Sequence, residues 1–242
     1  MKLSNLLIFV LMAVGAVGIQ AQEAQAGEDT QAVLGNGSRL GVRVRLGGTM
    51  PITNHDSGSG IYGDHLYDGG FSSEIGAVYN IPLGKRGWYF EPGLMFAYDT
   101  WGLNDDVVSV SGIPAGADYD MSFRRFGINI PVQVGFRIKL GKCGLSIYTG
   151  PEAGIGLVCK SHESIKSDGV KLSASQSMYG NEGIYNRFGL GWKLGVGLDV
   201  NHWYFALESK FDILNMSPDL ATTYHYISTR IFTGGIVAGY TF

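Results

Sequence analysis

Apolar and polar residues alternate with a period of two in eight runs along the chain, which predicts β-strands rather than helices. The clearest run sets Phe126, Ile128, Ile130, Val132, Val134, Phe136, Ile138 and Leu140 against Gly127, Asn129, Gln133, Gly135, Arg137 and Lys139. Before it, Leu40, Val42, Val44 and Leu46 oppose Gly41, Arg43, Arg45 and Gly47. Ile75, Ala77, Tyr79 and Ile81 oppose Glu74, Gly76 and Asn80, and Trp88, Phe90, Leu94, Phe96 and Tyr98 oppose Glu91, Gly93, Ala97 and Asp99. After it come Leu145 to Cys159, Phe188 to Val200, Trp203 to Ile213, and a last run in which Phe232, Ile236, Ala238, Tyr240 and Phe242 share a face.

The connections alternate in length. Roughly 48–70, 101–122, 160–186 and 214–228 are long and polar, whereas 82–87, 141–144 and 201–202 are short. Long and short connections in strict turn, joining an even number of strands, are the layout of an eight-stranded antiparallel up-and-down transmembrane β-barrel. A soluble barrel would share the alternation but bury its apolar face. Two features favour the inverted arrangement. The strand glycines lie on the charged face, with Gly234 the exception, as the crowded interior of a narrow barrel requires. Aromatics gather at both ends of the apolar face, as in interfacial girdles. Trp88, Phe90, Trp203, Phe205, Tyr240 and Phe242 mark the short-turn end.

On this reading the interior holds Arg43, Arg45, Arg137, Lys193 and Lys210 together with Glu74, Glu91, Glu152, Asp199 and Glu208. Buried charges must be paired, so a salt-bridge network filling the lumen is expected. An eight-stranded interior is about wide enough for its own side chains, which disfavours an open pore. Pro92, Pro131 and Pro151 fall inside strands and are expected to mark bulges. Parity also breaks between Met121/Phe123 and Phe126, so a bulge or late strand start is expected near Arg124–Arg125.

The N-terminus carries Lys2, an apolar run from Leu6 to Val17, and small residues at Ala21 and Ala24–Ala26. This predicts a signal peptide over residues 1–26, a periplasmic lead-in over 27–37 and the barrel over 38–242. Only 16% of the 242 residues are charged and the net charge is −3, so nucleic acid is excluded as a partner. Cys143 and Cys159 lie sixteen residues apart in or beside one strand. That is about 50 Å at 3.3 Å per residue, far beyond disulfide reach, so both are expected as free thiols.

Residues 89–96 (YFEPGLMF), 128–134 (INIPVQV), 150–154 (GPEAG) and 205–215 (FALESKFDILN) resemble, in this order, segments of the Bacteroidetes-type outer-membrane β-barrel domain family, which includes PorT-like proteins. The resemblance implies a Gram-negative outer-membrane location and a barrel with prolines in its strands. It also implies a C-terminal aromatic ending, Phe242, that is read by the barrel assembly machinery. It implies no common activity.

His55, His65, His162, His202 and His225 fall in connections. Pairings such as His162 with Ser161 or Ser164, His225 with Asp219, or His55-Asp56 with Asp64-His65 form no recognised catalytic or metal motif. No catalytic, cofactor or metal residue is therefore assigned. The expected function is a structural or surface-interaction role. Its partners would be outer-membrane lipid and lipopolysaccharide, the assembly machinery, and an extracellular ligand or protein reached through the loops. The alternatives are a narrow channel and an outer-membrane enzyme acting on lipid A or peptides.

Overall fold

The computed structural model describes residues 37–54, 66–84, 86–104, 118–141, 143–167, 170–180, 183–217 and 228–242. The strands are β1 (Arg39–Asn54), β2 (Tyr67–Asp68), β3 (Gly70–Pro82), β4 (Trp88–Leu103), β5 (Asp118–Leu140), β6 (Cys143–Ser167), β7 (Val170–Ser177), β8 (Phe188–Val200), β9 (Trp203–Asp212) and β10 (Ser228–Thr241). Eight of them close a ring in the order β1-β3-β4-β5-β6-β8-β9-β10, with β10 pairing back to β1. The other two extend it: β2 pairs with the end of β4, and β7 with the end of β6. Among the described residues no helix is long and apolar enough to cross a membrane. The barrel strands, ten residues or longer, meet the roughly 9–11 that a tilted crossing needs.

Burial is inverted relative to a water-soluble domain. Leu207 and Ile236 are 68% and 61% exposed, while Glu152 and Lys193 are 1% and 2% exposed. The apolar face therefore points outward and the charged face inward. The inward glycines answer to crowding. A Cβ on Gly135 would collide with the Tyr89 ring, one on Gly195 with the Tyr148 ring, and one on Gly197 would lie 2.7 Å from Tyr204. Outward-facing Gly234 has room, its nearest Cβ neighbour being Phe232 at 3.7 Å.

The short turns carry the backbone conformations that tight links demand. Gly84, Gly87 and Gly141 have positive φ, and Asn201 adopts φ 56° in the two-residue link between β8 and β9. Gly87 also accepts a hydrogen bond from Arg137 N–H at 2.8 Å, which ties this turn to β5.

Three expectations are corrected. The strand prolines do not mark bulges. The β4–β5 ladder pauses after Pro92↔Val132 and resumes at Met95↔Asn129 in the same register, and the β5–β6 ladder pauses likewise after Pro131↔Glu152. Each proline removes one donor without adding a residue to its strand. The bulge near Arg124–Arg125 is absent from β5, which alternates regularly. The register shift lies between Phe126 and Gly127, where β6 carries one extra residue opposite them, Leu157. Phe123 breaks the apolar parity because it faces inward, into an apolar cluster at the mouth. Finally, much of the polar stretch 160–186 is not loop. Lys160 to Ser167 continues β6 and pairs with β7 as a hairpin beyond the wall.

Candidate functional site

Inward charges from seven strands of the ring meet along the barrel axis. At the short-turn end Arg137 Nε lies 2.9 Å from Asp199 Oδ2, and Arg43 Nη2 lies 3.7 Å from Glu91 Oε2. Asn80 donates to Glu91 at 2.8 Å. The two guanidiniums lie over aromatic rings, Arg43 over Tyr204 at 4.3 Å and Arg137 over Tyr89 at 4.8 Å.

The middle is densest. Lys193 Nζ stands 2.8 Å from Glu74, 2.7 Å from Glu152 and 3.0 Å from Glu208. Lys210 Nζ bridges Glu152 at 3.0 Å and Asp212 at 3.3 Å. Arg45 Nε is 3.2 Å from Glu74 and 3.7 Å from Glu208. Asn129 donates to Glu74 at 2.6 Å and Tyr148 to Glu208 at 2.9 Å. Arg45 also donates to Ser72 Oγ, which donates in turn to Asp99 at 2.6 Å. Asp99 receives Arg125 Nη2 at 2.7 Å, so one polar network continues from the middle towards the mouth.

Each of the ten charged positions singled out in the sequence thus lies in the lumen and takes part in an ion pair. They divide into two pairs near the short turns and a six-membered central group. Sequence reasoning left out Asp99, Arg125 and Asp212, and the tyrosines Tyr89, Tyr148 and Tyr204. Asp99 and Asp212 sit on the same alternation face as the others, which was the available signal. Arg125 was hidden by the misread parity of Phe123.

Above this network an apolar plug closes the mouth. Trp101 stacks on Phe123 with ring centroids 5.6 Å apart, and Tyr67 meets Phe123 edge-on at 5.8 Å. Tyr185, from the β7–β8 connection, packs against Trp101 and Phe123, and its hydroxyl lies 3.3 Å from that of Tyr67. Cys159, Met178, Tyr179, Met216 and Ile231 complete the cluster. Burial pushes the Tyr67 and Tyr185 phenols above their ordinary pKa.

Two small cavities lie in the lumen among the described residues. One of about 40 Å³ lies under the plug beside Arg125, Glu152, Lys210 and Asp212, and one of about 20 Å³ lies among Arg45, Glu74, Tyr148 and Lys193. A water needs roughly 10–15 Å³, so each holds a few molecules at most.

The aromatic residues of the short-turn end lie on the outer surface. Trp203 meets Tyr240 at 5.3 Å, Tyr240 meets Phe242 at 5.3 Å, and Phe205 stacks beside Trp203 at 6.4 Å. Trp88 lies against Phe136 on another part of the wall, with Phe90 two residues along β4. The catalytic pairings do not assemble where they are described. Ser161 is buried on the inner face while His162 faces outward, its Nδ1 3.0 Å from Ser175 Oγ. His55, Asp56, Asp64, His65, Asp219 and His225 lie outside the described residues. Cys143 and Cys159 are free thiols.

A ring of antiparallel strands, lipophilic outside and ionic inside, agrees with the family comparison. The model for the outer membrane protein beta-barrel domain matches residues 20–215. The chain belongs to that family. Its members' outer-membrane setting accounts for the exposed apolar wall. A search of curated proteins finds no match. Among solved structures, the chain is similar to a major outer membrane protein from Thermus thermophilus, at 12% identity over 85% of this chain and 100% of that one, TM-score 0.45. It is also similar to Ail of Yersinia pestis in complex with the heparin analogue sucrose octasulfate, at 12% identity over 84% and 99%, TM-score 0.41. A third similar structure is Neisserial surface protein A, at 13% identity over 85% and 99%, TM-score 0.40.

Proposed function

We propose that this outer-membrane barrel conducts nothing and catalyses nothing, and acts through the surface it presents outside the cell. The observation that carries this reading is the pairing of a plugged mouth with a projecting sheet. Trp101, Phe123, Tyr67 and Tyr185 fill the barrel's opening. Beside them the outer parts of β5 and β6 run on with β7 beyond the wall. All eight residues of β7 are exposed, with Val170 and Leu172 at 61% and 67%. Among the described residues β7 pairs on one side only, with β6. An open edge with free backbone donors and acceptors is the surface that an extended segment of a partner protein adds to as a further strand.

The finer assignments belong to the same reading. Residues 1–26 act as a cleaved export signal, the barrel is of the PorT-like, Bacteroidetes-type group, and Phe242 with Tyr240 engages the assembly machinery. The lumen charges serve stability rather than transport.

The test is conductance in planar bilayers combined with photo-crosslinking from position 172 on intact cells. No stable conductance and a discrete crosslinked protein are the expected results. A steady single-channel current would overturn the closed barrel, and the absence of any crosslinked product would overturn the surface role. Lipid A from a deletion strain should be unchanged, and a modified lipid A profile would instead favour an enzyme.

A further inference from the structure

Arg124 and Arg125 are consecutive on β5 and so point to opposite faces. Arg125 turns inward and is neutralised by Asp99 at 2.7 Å. Arg124 turns outward and lies directly across from Lys160 of β6, which is also exposed. Like charges directly opposite on paired strands repel. Neither makes an ion pair with any described residue.

Among the described residues no acid lies within ion-pair distance of either, and the neighbouring hydroxyls are already engaged, Thr100 donating to Phe71 O at 3.4 Å and Ser177 to Tyr179 O at 3.1 Å. Thr100 of β4 and Ser177 of β7 extend the same cross-strand row. The next row outward holds Ser122, His162 and Ser175. Asp120, the next acid on this face of β5, is four residues away, about 13 Å at 3.3 Å per residue. Asp68, two strands over, accepts a hydrogen bond from Asn104 at 3.3 Å.

The row on the membrane side is apolar. Tyr98, Phe126 and Val158 lie there, with the Tyr98 and Phe126 rings 5.2 Å apart. The two cations therefore stand one row beyond the apolar wall, at headgroup depth on the long-loop side, which faces the outer leaflet.

We propose that Arg124 and Lys160 bind the phosphate of an outer-leaflet lipid whose acyl chains lie along Phe126 and Val158. Arg124 supplies a planar fork of donors and Lys160 a point charge. The inference rests on the outer-membrane reading. A lipid is favoured over a soluble anion because the cations are continuous with the lipid-facing surface.

The test measures binding of phosphorylated lipid A to the full-length protein in phosphatidylcholine nanodiscs, beside dephosphorylated lipid A. The wild type should prefer the phosphorylated form. Arg124→Gln with Lys160→Gln should weaken that binding about fivefold for each cation removed, while heat-dependent gel mobility is retained. Lys166→Gln with Lys171→Gln, farther out on the same face, should bind as the wild type does. Equal binding of the two lipid A forms by the wild type overturns the proposal without any variant. Full affinity in the double variant overturns it as well. Competition by millimolar inorganic phosphate would reassign the site to a soluble anion and overturn the lipid. Loss of heat-dependent mobility in the wild type itself would instead count against the barrel.

Discussion

Lys193 and Glu74 meet at 2.8 Å across the full width of the barrel, since β8 and β3 stand four strands apart in either direction round the ring. Glu152 and Glu208 share the same ammonium. One lysine thus holds three carboxylates together and bars the axis at its middle.

Lys193→Met should therefore destabilise the barrel by about 3–5 kcal/mol, because it strands buried carboxylates without a counter-charge. Denaturant unfolding in detergent micelles, followed by gel mobility, measures this. A midpoint unchanged from wild type would show that the central charges are solvated rather than buried.

The glycines give a paired prediction. Gly135→Val would drive a side chain into the Tyr89 ring, whereas Gly234→Ala has open space with Phe232 at 3.7 Å. The first should cost about 1–3 kcal/mol by overpacking. The second should leave the unfolding midpoint in place. Equal behaviour of the two variants would mean that the interior is not crowded.

Trp101→Ala removes the stacked partner of Phe123 from the plug. The loss of a large buried ring should cost about 3–5 kcal/mol locally. Its readouts are faster proteolysis at the mouth and raised access of a thiol reagent to Cys159, which is 1% exposed behind it. An unchanged labelling rate would mean that Trp101 does not guard that passage.

The plug also has a pH signature. The phenols of Tyr67 and Tyr185 are raised above the ordinary 10.0 by burial. A raised acid holds its proton more tightly in the folded state, so its contribution is full below pH 10.0 and is lost as the pH climbs through the folded value. Alkaline titration should show delayed tyrosinate absorbance followed by loosening of the mouth, and Tyr185→Phe should blunt the second phase. Ionisation of all tyrosines at the ordinary value would refute the burial.

Phe242 tests the end of the wall. Its backbone N–H donates to Leu40 O at 2.9 Å, while the residue as a whole is 55% exposed. Phe242→Ala keeps the hydrogen bond and loses the ring. Insertion into liposomes by the assembly machinery should slow several-fold, with an unchanged unfolding midpoint in the folded fraction. An unchanged insertion rate would remove Phe242 from any signalling role.

How much of this was legible in the chain depended on whether the alternation was intact. From Phe126 to Leu140 every residue kept its face, and the outer wall and inner charges could be assigned from that alone. Phe123 misled because a closed mouth asks for apolar residues such as Phe123 and Ile231 on the inner face, reversing the rule that holds lower down. The β6–β7 hairpin escaped notice because a sheet wetted on both faces needs no apolar row, and Ser173 to Ser177 are uniformly small or polar. The three lumen tyrosines were missed for another reason. Each lies over a glycine of a neighbouring strand, Tyr89 over Gly135, Tyr148 over Gly195 and Tyr204 over Gly197, a relationship that only cross-strand register reveals.

The wall is closed by β1 against β10, whose residues Arg43 and Thr241 hydrogen-bond although 198 positions separate them. No local contact can stand in for that seam, so the ring must stay open until the most distant parts of the chain find one another. Such long-range closure is slow. Throughout that interval two unsatisfied strand edges are available to any neighbouring chain. Pairing of β1 with β10 removes both edges at once, so the seam is where the finished wall differs most from its open precursor.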